Sequence, residues 1–296
     1  MDSVTYVILF MVGVAVGSFL NVLTLRFSPE EGEGNLFKHV YGRSHCPHCG
    51  KELQWYELVP LFSFLLQRGH CRSCGAGLTL QYPIVELLGG LIFVLVPYNL
   101  LPGHPLLPVP YFLITTWILV LLALLTMSVI DFHHRIIPDS INIFIGFSGV
   151  ALICYKYFFG SIGEKLGSGS FLGSYTLMFP LGSSFPLNSV IGLIFGLGFL
   201  GALFVISGGR GMGLGDVKLA AALGLLMGWP DIALALILAF ITGAVLSLTL
   251  IFTKRKSIKD YVPFGPFIAL GVVLVFFFGY EILNLYFRFF DSILPF

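Results

Sequence analysis

Charge is what this sequence has least of. Only 10% of its 296 residues are Asp, Glu, Lys or Arg, against about 25% in an ordinary soluble domain. A water-soluble fold could not cover its surface with so few. The formal net charge is +1, and the basic residues lie in short scattered loops, so nothing supports DNA or RNA binding. Two hydrolase signatures are missing as well: there is no HExxH for a zinc protease and no GxSxG nucleophile elbow. Nor does the start carry a basic segment or a small-residue cleavage site. Met1, Asp2 and Ser3 run straight into an apolar stretch, which predicts a retained span.

Apolar residues make up 57% of the chain, with 30 Phe and 35 Gly, and small residues let helices approach closely in lipid. Runs of the length needed to cross about 30 Å of hydrocarbon fall at roughly 4–25, 84–101, 109–130, 140–159, 189–207, 216–229, 232–252 and 264–287. The expected fold class is therefore all-α: a polytopic transmembrane helical bundle of about eight spans, carrying a small cytoplasmic zinc-binding insert. Residues 1–25 form the first transmembrane helix, 26–82 the insert and 83–296 the transmembrane core in this reading. A Gly/Ser-rich loop at about 160–188 separates the fourth and fifth spans.

Lys and Arg orient the chain, because short cytoplasmic loops hold the excess of positive charge. With the first loop inside, thirteen basic residues are cytoplasmic, among them Arg26, Arg68, Arg135, Arg210 and Lys256. Only Lys156, Lys165 and Arg288 fall outside. An even number of spans with both termini on the non-cytoplasmic side satisfies this split.

Zinc enters through the insert, where Cys46 and Cys49 are separated by twenty-one intervening residues from Cys71 and Cys74. Each CxxC pair can present two thiolates to one tetrahedral metal, and the glycines after them, Gly50 and Gly75, relieve the tight turn. Disulfides are the alternative, but they rarely persist in a reducing cytosol. His45 or His48 could replace a thiolate. Cys154, alone in a span, reads as a small packing residue.

A carboxylate in or near a bilayer is a functional-site hypothesis by default, and five occur: Glu86, Asp131, Asp139, Asp216 and Asp231. Asp139, after Pro138, reads as a helix N-cap, and Asp231, after Trp229 and Pro230, as a cap in a tight outer turn. Glu86 fits a structural role or a site equally. His133 and His134 read as solvated loop residues. Asp131 closes the third span and Asp216 opens the sixth, so both fall at the cytoplasmic level and can meet. The run after Asp216 is short, which draws its carboxylate into the bilayer, and Gly213 and Gly215 leave room for an extended substrate backbone. The loop lacks the Gly-Lys-Ser/Thr of a phosphate-binding loop. Two close carboxylates can share one proton, one acting as base toward water and the other as acid toward a carbonyl.

These residues resemble a known family. Gly213, Leu214, Gly215 and Asp216 match the GxGD signature of intramembrane aspartyl proteases. Asp131 with Ile137, Pro138 and Asp139 is similar to the partner motif of type IV prepilin peptidases. The run Gly17 to Leu23, the paired CxxC motifs and the stretch Tyr82 to Leu88 with Gly90 resemble the bacterial branch. The loop at about 160–188 is long for that family. The resemblance implies cleavage of a basic leader from prepilins or pseudopilins in the bacterial inner membrane, with Asp131 and Asp216 as the catalytic pair. It also implies methylation of the new N-terminal amine by S-adenosylmethionine, with Glu86 and Gly90 as candidate methyl-donor contacts. A transporter or channel with a regulatory zinc ribbon is the alternative class. Glu30, Glu31 and Glu33 form an acidic cluster that either attracts the basic leader or is simply solvated.

Overall fold

In lipid a chain must satisfy its own amides, and a single segment does so only as a helix. The computed structural model describes residues 2–27, 42–101, 109–159, 170–179, 185–253 and 262–293, and among them all eight predicted spans are helical. These are α1 (Ser3–Leu25), α3 (Gln81–Leu100), α4 (Val109–His134), α5 (Asp139–Phe159), α6 (Phe185–Ile206), α7 (Leu214–Met227), α8 (Asp231–Phe252) and α9 (Gly265–Ile293). A short helix, α2 (Phe62–Leu66), lies in the insert. No strand occurs among the described residues; there are only two isolated bridges. Among the described residues, seven helices are long and apolar enough to cross a membrane. The eighth, α7, has 14 residues and rises only about 21 Å. The acidic cluster of Glu30, Glu31 and Glu33, and much of the loop at 160–188, lie outside the described residues.

The chain divides into two compact units, Met1–Ile130 and Asp131–Phe296, with the boundary inside α4. In the first unit α1 packs along α3. A Cβ on Gly17 would stand 2.8 Å from the Glu86 Cα, so the two backbones touch where Glu86 sits. In the second unit α7 is central, packing chiefly against α6 and α5 and also meeting α8 and α9. Gly192 of α6 and Gly224 of α7 face one another so closely that a Cβ on either would strike the other's carbonyl oxygen. This crossing fixes the height of α7, and with it that of Asp216.

Candidate active site and metal centre

Asp131 and Asp216 both belong to the second unit, and each is only 4% exposed. Asp216 lies in the first turn of α7 and accepts a hydrogen bond from the Gly213 N–H, 3.1 Å from its Oδ2. Asp131, in the last turn of α4, accepts one from the Gly265 N–H at the start of α9, also at 3.1 Å. Each carboxylate thus borrows a donor that the first turn of a helix leaves unpaired. No cation pairs with either among the described residues, and the Asp131 carboxylate is near enough to act electrostatically on Asp216. Such a pair, held by one amide each, has free acceptor positions for water and for a shared proton.

The two motifs are also joined away from these carboxylates. Gly215 lies against Ile137, where a Cβ would come within 3.1 Å of the Ile137 Cβ. Asp139 is not the N-cap expected of it: it is the first residue of α5, and both its oxygens accept from Lys218 Nζ, at 2.9 and 2.8 Å. The geometry therefore gives the glycine at 215 a packing reason. Lys218 escaped the sequence reading, because a lysine two residues beyond a motif looks like any interfacial cation. Gly265 escaped it too, since a backbone donor leaves no mark in residue type.

Three other expectations need correction. Asp231 is the first residue of α8 and not its N-cap, which is Pro230. It is fully buried, and its Oδ1 accepts from the Ser170 hydroxyl at 3.0 Å and the Phe171 N–H at 3.1 Å, tying that segment to α8. His133 and His134 are the last residues of α4 and not loop residues. A histidine there complements the negative end of the helix. Cys154 is exposed on α5 and does not pack inside.

The four insert cysteines come together, with all four Sγ atoms within 4.8 Å of one another and no disulfide among them. The two CxxC loops are built alike. The Gly50 N–H donates to the Cys46 carbonyl and the Gly75 N–H to the Cys71 carbonyl, both at 2.9 Å. The Cys46 N–H donates to Lys51, and the Cys71 N–H to Ala76. Gly50 and Gly75 take φ of 70° and 71°, a conformation that costs glycine little. Sulfurs around one zinc stand about 3.8 Å apart, from a Zn–S bond of about 2.3 Å in a tetrahedron; Cys46 and Cys74 stand at 4.0 Å. The Cys74 N–H, then the Ser73 N–H, hold the Cys71 thiol down to about 6. The donor set therefore fits a metal ion. His45 Nδ1 faces the Arg43 carbonyl, and neither His45 nor His48 joins the cluster.

In the same unit, a cavity of about 270 Å³ lies between α1, α3 and the cysteine lobe. Glu86 lines it, 6% exposed, accepting the Leu61 N–H at 2.8 Å and a hydrogen bond from the Ser18 side chain. Gly90 does not line it. Gly90 packs against Phe10 and Val14 in the α1–α3 crossing.

Helices of membrane-crossing length, a buried carboxylate pair and a lobe whose four thiols could hold a metal ion describe a multi-pass membrane protein with a candidate active site. Residues 11–100 match the Bacterial Peptidase A24 N-terminal domain and residues 117–248 the Type IV leader peptidase family. A Prepilin leader peptidase/N-methyltransferase of Aeromonas hydrophila is 30% identical over 287 residues, covering 89% of this chain and 87% of that protein. Proteins of the same name from Pseudomonas aeruginosa and Bacillus subtilis are each 28% identical, covering 94% and 95% of this chain and 92% and 97% of their own. No solved structure matches. The chain belongs to the type IV leader peptidase family.

Proposed function

We propose that this chain removes the leader of type IV prepilins or pseudopilins by a two-aspartate mechanism and then methylates the new N-terminal amine. The observation that carries the hydrolytic half is the pair Asp131 and Asp216: two buried carboxylates, each with one backbone amide and no cation. The names of the relatives supply the substrate class and the second activity.

Burial of two neighbouring carboxylates favours a single shared proton. The ionised partner takes a proton from water, whose oxygen bonds to the peptide carbonyl carbon. The protonated partner gives its proton to the carbonyl oxygen. As the resulting diol collapses, one of its hydroxyls returns its proton to the ionised partner, the C–N bond breaks, and the departing nitrogen takes the proton held by the other partner. Asp139 and Lys218 act as positioning residues, holding the two motifs in register without touching the reacting atoms.

Cys46, Cys49, Cys71 and Cys74 would hold one zinc ion as a structural centre of the lobe. S-adenosylmethionine, when bound, supplies an electrophilic methyl group. In this reading the insert and both carboxylates face the cytoplasm from the inner membrane, with both termini on the other side, an arrangement that the excess of basic residues supports. Purified protein given a prepilin peptide tests the reading. Release of the leader, ended by either Asp131→Asn or Asp216→Asn, is the expected result. Ion flux without cleavage would establish the transporter alternative.

A further inference from the structure

The short helix of the cysteine lobe, α2, is turned the wrong way for water. Ser63 and Gln67, the polar residues of its stretch, line the cavity on its inner side together with Phe64. Phe62, Leu65 and Leu66, at the i, i+3 and i+4 spacing of one helix face, point outward and are 56%, 71% and 73% exposed. A helix resting in water shows the opposite arrangement, apolar side in and polar side out. Trp55 and Val59 before α2, and Leu80 just before α3, are exposed as well. Apolar surface of this extent marks a place where something other than water is in contact.

One hydrogen bond sets the height of this face. The Leu61 N–H, at the start of α2, donates to Glu86 at 2.8 Å. Glu86 lies five residues after Gln81, where α3 begins, and so about 7.5 Å along that helix at 1.5 Å per residue. The chain makes the turn with Leu61 at φ 61°, a conformation that persists in a leucine only where the surroundings impose it. From Gln81 onward α3 is apolar enough to cross a membrane, and its Ile84 and Leu87 are exposed near this level. The outward face of α2 thus continues the lipid-facing side of a span. Its depth matches the 5–10 Å or so to which interfacial helices bury their apolar face.

Charge points the same way. Within residues 42–80 the only acids are Glu52, paired with Arg43, and Glu57, which is buried. Arg68 and Arg72, soon after α2, are exposed and have no acidic partner among the described residues. The Arg72 guanidinium stands 5.2 Å above the Tyr56 ring, beside Trp55, and such aromatic rings favour the headgroup level. Long basic side chains reach up to that level from an apolar depth. We propose that α2 is an interfacial anchor seating the cysteine lobe on the bilayer, with Phe62, Leu65 and Leu66 among acyl chains and Arg68 and Arg72 at anionic phospholipid headgroups. The lobe is then held by α1, by α3 and by the lipid itself.

Full-length, metal-loaded protein in nanodiscs tests the anchor. A benzophenone amino acid replacing Leu65 should form adducts with phospholipid acyl chains on irradiation, as the same probe does in place of Leu87 on α3. Adducts only with residues beyond 131 or with a second copy of the chain would show that protein covers this face, and would overturn the proposal. No adduct from position 65, with lipid adducts from position 87, would place the face in water and overturn it equally. Should the Leu65 variant lose its metal, the probe in place of Leu66 reads the same face. Hydrogen exchange on unsubstituted protein tests the charge. Amides of residues 62–69 should exchange more slowly in discs containing phosphatidylglycerol than in phosphatidylcholine alone, by about fivefold for each arginine. Arg68→Ala combined with Arg72→Ala should remove that difference, and equal exchange of the unsubstituted protein in the two lipids rejects the headgroup pairing.

Discussion

At the residue scale the question is what lets a carboxylate stay inside a bundle of apolar helices. For Asp131 and Asp216 it is one glycine amide each; in the proposed mechanism the pair holds a single proton between them. Replacement by Asn keeps size and the amide contact but ends proton exchange. Either variant is expected to cut cleavage by at least about 10³-fold, and the double variant little further, as for groups that act as a unit; rates from a peptide assay measure both. The pH–rate profile should be bell-shaped, rising as the first proton leaves the pair and falling as the second does. Methylation of a pre-cleaved substrate should continue in both variants. The Asp139–Lys218 pair is a different case, with side chains 40% and 54% exposed. A double-mutant cycle there should give only about 0.5 kcal/mol of coupling, read from thermal unfolding. Asp131 and Asp216 were legible in the sequence because a charge in an apolar run stands out. Their partners Gly213 and Gly265 act through the backbone, and the burial of Asp231 depends on Ser170 and Phe171, sixty residues upstream in sequence.

Among the helices, length and order were legible because lipid imposes a minimum apolar run. The predicted run at 216–229 is α7, Leu214–Met227, and that at 264–287 is the longer α9, Gly265–Ile293. Neighbour choice was not legible. Glycine content predicts close approach somewhere, but only the fold pairs Gly192 with Gly224, and Gly196 with the Ala220 carbonyl. Gly192→Ala should therefore separate α6 from α7 and cost about 1–3 kcal/mol, as overpacking does. Because the shift moves α7, cleavage should fall although no carboxylate is touched. Unfolding midpoint and cleavage rate measured together check this; a stable variant with wild-type rate would mean that the crossing does not set the height of Asp216. The two CxxC loops were legible from spacing alone, but their shared hydrogen bonding appears only in the folded lobe.

For the molecule as a whole, the division into two units predicts separable losses. Chelation of the metal should unfold the lobe around Cys46 and Cys71, since a small metal domain depends on its ion for folding. Cleavage by the second unit should decline less; parallel titration of lobe structure and of cleavage with a chelator distinguishes this from a general collapse. The shortness of α7 bears on where the hydrolytic water comes from. Gly201 of α6 faces Val217, and α6 continues to Ile206, so it runs on for about 7 Å beyond the level of Asp216 at 1.5 Å per residue. Acyl chains cannot hydrate the polar groups at that level, so water has to reach Asp216 from the side of the membrane at which α7 begins. Hydrolysis at the proposed pair would then depend on that path, and a thicker bilayer would lengthen it without closing it.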